Sequence, residues 1–201
     1  LAVNTETEPY PVYPLGLSVM AASTSAAGHP VRVRDALFSP DFQAGIAADI
    51  ADFQPEVIGI SVRNIDNVDS FSVAAHWSLN ALRDTCAHLR RLTDAPLVLG
   101  GPGFSLMPEA VLAHCGADYG IVGEGERAFL ALLESLQAGN PPAKGVLARR
   151  EASSTASWGK SWEDCPLRGL YAARSGVVCL QTKRGCPHGC AYCSYPVLEG
   201  R

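Results

Sequence analysis

The chain has 201 residues, of which 47% are hydrophobic and 18% are charged, a balance that is typical of a folded globular protein rather than a disordered one. Its formal net charge of −4 excludes a strongly basic surface for gripping nucleic acid. No apolar run reaches the roughly 20 residues of a membrane-spanning helix, so we expect no membrane partner.

Short apolar runs alternate with helix-like segments through residues 1–139, as in a parallel sheet covered by helices. The predicted strands are Leu1–Asn4, Val31–Ala36, Val57–Val62, Leu97–Gly100 and Tyr119–Val122. Between and after them, apolar residues at helical spacing predict helices over Pro14–Ala27, Phe42–Phe53, Ser78–Arg91, Pro108–Cys115 and Glu124–Gln137.

The composition of the strands predicts their order. Val57–Val62 and Leu97–Gly100 are almost wholly apolar, as are strands buried on both faces, whereas Val31–Ala36 alternates like an edge strand. We therefore predict an α/β fold with a flavodoxin-like (Rossmann-like), five-stranded parallel sheet in the order 2-1-3-4-5.

The character of the sequence changes after this domain. Residues 140–176 lack apolar periodicity and are rich in Pro, Ser and Gly, which predicts a linker. The apolar run Val177–Thr182 predicts a strand that leads into a cysteine-rich loop. The predicted organisation is therefore a domain over 1–139, a linker over 140–176 and a second unit over 177–201.

Ligands of open parallel sheets bind beyond the carboxyl ends of the strands, where the strand order reverses. Arg63 and Asn64 follow the third predicted strand there. The loops after the fourth and fifth strands carry Gly100, Gly101, Gly103, Gly123 and Gly125. These glycines either let a bulky ligand approach the backbone or serve only tight turns. A nucleotide site is disfavoured because neither G-x-G-x-x-G after the first strand nor G-x4-G-K-[ST] is present.

Three of the seven cysteines, Cys186, Cys190 and Cys193, are spaced C-x3-C-x2-C. Closely spaced thiolates are usual ligands of iron–sulfur clusters, and three of them on a 4Fe–4S cluster leave one iron open to a small chelating molecule. A structural zinc site normally needs a fourth ligand, for which His188 or Cys179 is available. Plain or redox-active thiols are the third reading. The odd, clustered count is a poor disulfide framework, so we expect a reducing compartment, by default the cytoplasm.

The run QTKRGCPHGCAYCSYPVLEGR (181–201) resembles the cluster-binding start of radical S-adenosylmethionine (radical SAM) proteins, whose motif has an aromatic residue before the last cysteine, here Tyr192. The resemblance implies that Cys186, Cys190 and Cys193 ligate a 4Fe–4S cluster. It also implies that S-adenosylmethionine chelates the open iron and that Tyr192 lies near its adenine. Residues 177–201 would then begin a (β/α) barrel that is truncated after Arg201, so we expect an N-terminal fragment that is inactive alone.

Upstream segments resemble the cobalamin-binding domain that precedes the radical domain in one branch of this family. They are PYPVYPLGL (9–17), AGHPVRVRDA (27–36), PEVIGISV (55–62), LVLGGPGF (97–104) and GADYGIVGEGE (116–126). The cobalamin contacts that the resemblance implies are Ser61, Arg63, Asn64, Gly100, Gly101, Gly123 and Gly125. The D-x-H-x-x-G motif, whose histidine ligates cobalt from below in many such domains, is absent. We therefore expect no protein histidine as the lower ligand.

The implied enzyme cleaves S-adenosylmethionine reductively and, with cobalamin, transfers a methyl group to an unactivated carbon of a small-molecule substrate. Its electron donor would be a protein such as a flavodoxin or ferredoxin. One alternative is radical rearrangement or oxidative cyclisation without methyl transfer. The other is a non-catalytic cobalamin-binding module with a structural zinc site. No nucleic-acid partner is expected.

Overall fold

The computed structural model describes residues 1–3, 11–65, 78–147, 167–175, 181 and 184–199. The strands are β1 (Ala2–Val3), β2 (Ile58–Val62), β3 (Leu97–Gly100), β4 (Tyr119–Ile121) and β5 (Gly145–Leu147). The helices are α1 (Leu15–Ala26), α2 (Phe42–Phe53), α3 (Ser78–Leu92), α4 (Pro102–Leu106), α5 (Pro108–Cys115), α6 (Glu126–Gln137), α7 (Arg168–Ser175) and α8 (Tyr195–Glu199). A short 3-10 helix spans Ala36–Phe38.

Within the described part of the chain, the strands form one parallel sheet in the order β1-β2-β3-β4-β5. β1 to β4 correspond to the first, third, fourth and fifth predicted strands, and their predicted neighbours are confirmed. β5 adds a further strand next to β4 that was not predicted.

The predicted strand Val31–Ala36 is wrong. This segment touches the sheet at a single bridge between Asp35 and Ala2, which does place it at the predicted edge beside β1. Its arginines are held outward by α2: Arg32 pairs with Asp52 at 2.8 Å, and Arg34 pairs with Asp49. The Asp35 carboxylate accepts the Leu37 N–H at 2.9 Å and starts the 3-10 helix, so the chain turns away before a ladder forms.

One face of the sheet carries the main hydrophobic core. β2 and β3 alternate, so that Ile58, Ile60, Leu97 and Leu99 point to this face. The helices α2, α3 and α5 cover it with buried side chains, namely Ile46, Leu79, Leu82, Cys86, Leu89, Val111 and Cys115. The apolar stripe predicted on α3 is therefore confirmed.

The opposite face is covered less completely. Val98, Tyr119 and Ile121 pack against Leu132 of α6. α1 contacts α6, but it lies over a part of the sheet where β2 presents only Gly59 and Ser61. Small side chains on β2 and many Ala and Ser residues on α1 leave a gap between helix and sheet. This gap forms a large cavity.

The predicted linker 140–176 contains folded structure, contrary to the sequence-based prediction. β5 pairs with β4, and the Tyr119 hydroxyl donates to the Pro142 carbonyl at 3.2 Å. In α7, Tyr171 is buried and donates from its hydroxyl to the Asp35 carboxylate at 2.6 Å. Its ring also makes edge-to-face contacts with Tyr13 and Phe38. Residues 148–166, 176–180 and 182–183 lie outside the described residues, as does most of the predicted strand Val177–Thr182.

Candidate functional site

A cavity of about 860 Å³ lies between α1 and the sheet. Ser61 and Gly100 line it at the carboxyl ends of β2 and β3, and Gln54 and Val57 line it just before β2 begins. It therefore extends along α1, whose 12 residues span roughly 18 Å. Its volume is near the upper end of the range for small-molecule sites.

The cavity walls are mostly apolar, with polar groups near the carboxyl ends of the strands and also just before β2, where Gln54 and Glu56 line the cavity. The apolar residues include Met20 of α1 and Phe129 and Leu133 of α6. The polar residues include Ser61 near the end of β2 and Arg63 directly after it. Such a combination of apolar walls and a few polar groups is typical of a site for a large organic ligand.

The sequence-predicted cobalamin contacts converge on this cavity, with one exception. The lining includes Ser61, Arg63, Gly100, Gly101, Gly123 and Gly125. Asn64 is not among the lining residues, and its backbone instead packs close to Gly103. The ends of the three strands β2, β3 and β4 thus bring together residues that are up to 64 positions apart in the chain.

The glycines divide into two groups by their surroundings. Gly101 has φ +99°, and a Cβ there would lie 2.7 Å from the Val62 carbonyl oxygen; a Cβ on Gly103 would lie 2.9 Å from the Arg63 backbone. These two glycines are therefore required for close packing against the end of β2. A Cβ on Gly100 would meet only an ordinary contact, 3.7 Å from the Ile121 carbonyl oxygen. Packing within the protein therefore does not require a glycine at position 100. That Gly100 lets a ligand approach the backbone closely stays a prediction.

Two carboxylates that the sequence analysis missed also line the cavity. Glu124 and Glu126 flank Gly125 at the start of α6, and both pair with Arg184, at 3.1 Å and 2.5 Å respectively. All three side chains are largely buried, with exposed fractions of 17% for Arg184, 9% for Glu124 and 13% for Glu126. Burial alone would lower the pKa of Arg184, but the hydrogen bonds and charges of Glu126 and Glu124 outweigh it and raise that pKa. The motif GEGE gave a signal for a turn, but its ion pairing could not be predicted.

The cysteine loop follows Arg184 directly. Cys186 is half-buried, Cys190 and Cys193 are exposed, and all three are free thiols. The Cys193 N–H donates to the Cys190 carbonyl at 3.2 Å in a tight turn. Within the described residues, no three His, Cys, Asp or Glu side chains are grouped closely enough to hold a metal ion. The structure therefore does not bring the three sulfurs together, and their role as cluster ligands stays a prediction.

The other residues predicted around the cysteine loop do not form a site either. Tyr192 is 93% exposed and does not line the cavity, so its contact with adenine also stays a prediction. For the zinc alternative, His188 is exposed on the same loop, and Cys179 lies outside the described residues.

A profile of the B12 binding domain matches residues 2–133 of the 201. This chain belongs to the B12-binding domain family. The matched range contains the whole sheet except β5, together with α1 and the first two thirds of α6. Most of the residues that line the cavity of this B12-binding domain thus lie inside the family's region, and Leu136, Gln137, Gln181, Arg184 and Leu198 extend the lining further along the chain.

Relatives of this B12-binding domain include a methyltransferase and a cyclase. The chain is 31% identical over 130 residues to tryptophan 2-C-methyltransferase of Streptomyces laurentii, and this alignment covers 64% of this chain and 21% of that protein. It is 27% identical over 197 residues to the anaerobic magnesium-protoporphyrin IX monomethyl ester cyclase of Synechocystis, covering 90% and 37%. The chain thus spans less than half the length of these relatives.

A solved structure extends the similarity to the cysteine loop. The radical S-adenosylmethionine methyltransferase TsrM of Kitasatospora setae, with cobalamin and a 4Fe–4S cluster bound, aligns with a TM-score of 0.79 and 27% identity. The alignment covers 99% of this chain and 41% of TsrM.

Within the described residues, no helix is both long and apolar enough to cross a membrane.

Proposed function

We propose that this B12-binding domain holds cobalamin in the cavity beneath α1, as the first part of a radical SAM enzyme. The observation that carries the proposal is the cavity itself, because its lining joins the loops after β2, β3 and β4 into one pocket. The family membership and the cobalamin in TsrM support the same ligand.

The residues present fit cobalamin, which combines a wide flat ring with an extended nucleotide tail. A pocket of about 860 Å³ that runs the length of α1 gives room for an elongated ligand. Gly100, which no packing contact requires, would allow the backbone of β3 to lie close to it. Ser61 and Arg63 would donate hydrogen bonds to its polar groups, while Phe129 and Leu133 would exclude water from the apolar part.

We propose further that Cys186, Cys190 and Cys193 ligate a 4Fe–4S cluster to which S-adenosylmethionine binds. When bound, the cluster supplies the electron for reductive cleavage of S-adenosylmethionine, and cobalamin supplies a transferable methyl group. The chain's own contribution is ligation and placement. The exposed thiols of Cys190 and Cys193 are accessible to iron, and the turn between them keeps both on one short loop.

The proposed outcome is methyl transfer to an unactivated carbon of a small molecule, with a flavodoxin or ferredoxin as electron donor. The similarity to tryptophan 2-C-methyltransferase and to TsrM supports it. Oxidative cyclisation without methyl transfer is the second candidate, and the similarity to a cyclase favours it. A cobalamin-binding module with structural zinc is the third, and metal analysis separates it from both.

The test is one absorption spectrum of the anaerobically purified protein after treatment with iron, sulfide and hydroxocobalamin and removal of the excess. The control is a variant with Cys186→Ala, Cys190→Ala and Cys193→Ala. We expect corrinoid bands in both samples and the broad sulfur-to-iron absorption in the wild type alone. The absence of corrinoid bands would contradict the cobalamin proposal. In the metal analysis of the same samples, bound zinc without acid-labile sulfide would contradict the radical SAM proposal.

A further inference from the structure

Two contacts hold the segment 184–199 on the B12-binding domain. Arg184 pairs with Glu124 and Glu126 at the start of α6, 60 and 58 residues earlier in the chain. At the other end of the segment, α8 packs against α4. Because α4 follows β3 and α6 follows β4, the cysteine loop between the two contacts is held near the carboxyl ends of these strands.

The ion pairs of Arg184 are largely buried, unlike typical ion pairs at a protein surface. A single guanidinium serves two carboxylates, and each of the three side chains is more than four-fifths buried. Removing one partner of a buried ion pair leaves an uncompensated charge, which is far more unfavourable than losing an exposed pair. Moreover, one oxygen of Glu124 is buried with no hydrogen-bond partner among the described residues. Arg184 is therefore the main compensation for the Glu124 charge.

The same segment completes the cavity. Arg184 and Leu198 line the cavity together with the residues that follow β2 and β3. We call the segment docked when Arg184 and Leu198 are in these positions. A ligand that contacts them binds the protein more tightly when the segment is docked than when it is not. Occupation of the cavity must then shift the segment toward the docked state, and docking must raise the affinity for the ligand by the same factor.

We propose that Arg184 is a positioning residue that couples docking of the cysteine segment to occupation of the cavity. The inference rests on the proposed function for the identity of the ligand, cobalamin. Its consequence is that the chain presents its cysteine loop in a fixed place when the cavity is filled. Arg184 itself takes no part in chemistry, and it acts through the position of the segment that it anchors.

The test measures the affinity for hydroxocobalamin by absorption titration in the wild type and three variants. We expect Arg184→Ala to weaken binding at least fivefold, a change at the lower limit of typical coupling between sites. Arg184→Lys should fall between the two, because lysine keeps the charge but cannot pair with both carboxylates through a planar fork. Arg127→Ala is the matched control, since Arg127 is an exposed arginine beside Glu126, and it should bind like the wild type.

Hydrogen exchange distinguishes coupling from a purely structural role of Arg184, because only coupling makes the exchange rate of the segment depend on hydroxocobalamin. In the wild type, hydroxocobalamin should slow exchange in peptides from 184–199, and in Arg184→Ala this protection should be lost. If circular dichroism shows that Arg184→Ala does not fold, Glu126→Gln and Arg184→Lys replace it in the test. Each of these two variants should bind hydroxocobalamin more weakly than Arg127→Ala does. Wild-type affinity and wild-type protection in the folded variants would overturn the inference. Absence of hydroxocobalamin binding by the wild type would instead overturn the proposed function.

Discussion

Gly101 offers the sharpest test of how the loop after β3 is built. It is predicted to tolerate no side chain, because it combines φ +99° with a position 2.7 Å from the Val62 carbonyl oxygen. Gly100, its neighbour, has neither constraint, since its Cβ would lie 3.7 Å from the nearest atom. The substitutions Gly101→Ala and Gly100→Ala therefore add the same methyl group in adjacent places with opposite structural consequences.

The magnitude for Gly101→Ala is the sum of two effects. An L-residue in this backbone region is strained by about 1–3 kcal/mol. The overlap with the Val62 carbonyl involves two backbones rather than a flexible side chain, so relieving it requires a shift that costs about 1–3 kcal/mol more. We expect Gly101→Ala to lower the free energy of unfolding by about 2–6 kcal/mol. For Gly100→Ala we expect a change below about 1 kcal/mol.

The assay is urea unfolding followed by circular dichroism, with both variants and the wild type measured side by side. Titration with hydroxocobalamin then separates packing from ligand approach. Gly100→Ala should keep its stability and bind more weakly, because the added methyl group narrows the cavity. A Gly101→Ala variant as stable as the wild type would refute the packing argument, and unchanged affinity in Gly100→Ala would refute the ligand role of Gly100.

Two further predictions concern stability. Tyr171→Phe deletes the hydroxyl that donates to the buried Asp35 carboxylate, so it should lower the free energy of unfolding by about 2 kcal/mol; an unchanged urea midpoint would contradict this. Burial acts to raise the pKa of Asp118, but Lys144, Arg90 and the Leu97 N–H outweigh it and hold that pKa below its usual value. The stability that Asp118 contributes is therefore present above about pH 4 and lost as the pH falls through its lowered pKa. The destabilisation of Asp118→Asn, about 2 kcal/mol at neutral pH, should shrink as the pH falls below about 4, and a difference that stays constant would contradict the ion-pair account.

The elements with a strong local pattern could be predicted from the sequence. The bounds predicted for α2, α5 and β3 are those of the structure, because proline, glycine or an aspartate cap marks their ends and apolar spacing fills their interior. The neighbours in the sheet were also predictable, since the central strands are apolar on both faces.

The errors have a common physical cause, which is long-range contact. Val31–Ala36 alternates like a strand, yet Asp49 and Asp52 of α2 hold its arginines. β5 has only three residues and exists because β4 pairs with it. α7 is fixed by a hydrogen bond between residues 136 positions apart. No local pattern carries such information.

The candidate site was predictable in its parts but not as a whole. Residues at the strand ends were identified because parallel sheets bind ligands there, and all except Asn64 and Gly103 line the cavity. The depth of the cavity beneath α1 was not predictable, because it follows from the small residues Gly59 and Ser61 opposite a helix that packs on α6. The contact of Arg184 with Glu124 and Glu126 joins the GEGE motif to the start of the cysteine loop, two segments whose proximity no local pattern predicts.

The central claim is that the cavity beneath α1 binds cobalamin, and its most direct test is a titration of hydroxocobalamin into the wild type and Ser61→Phe. Ser61 lines the cavity from β2, so a phenyl ring at this position would occupy part of the space under α1. We predict saturable, stoichiometric binding by the wild type and at least about tenfold weaker binding by a folded Ser61→Phe variant. Failure of the wild type to bind, or equal affinity in both proteins, would contradict the claim.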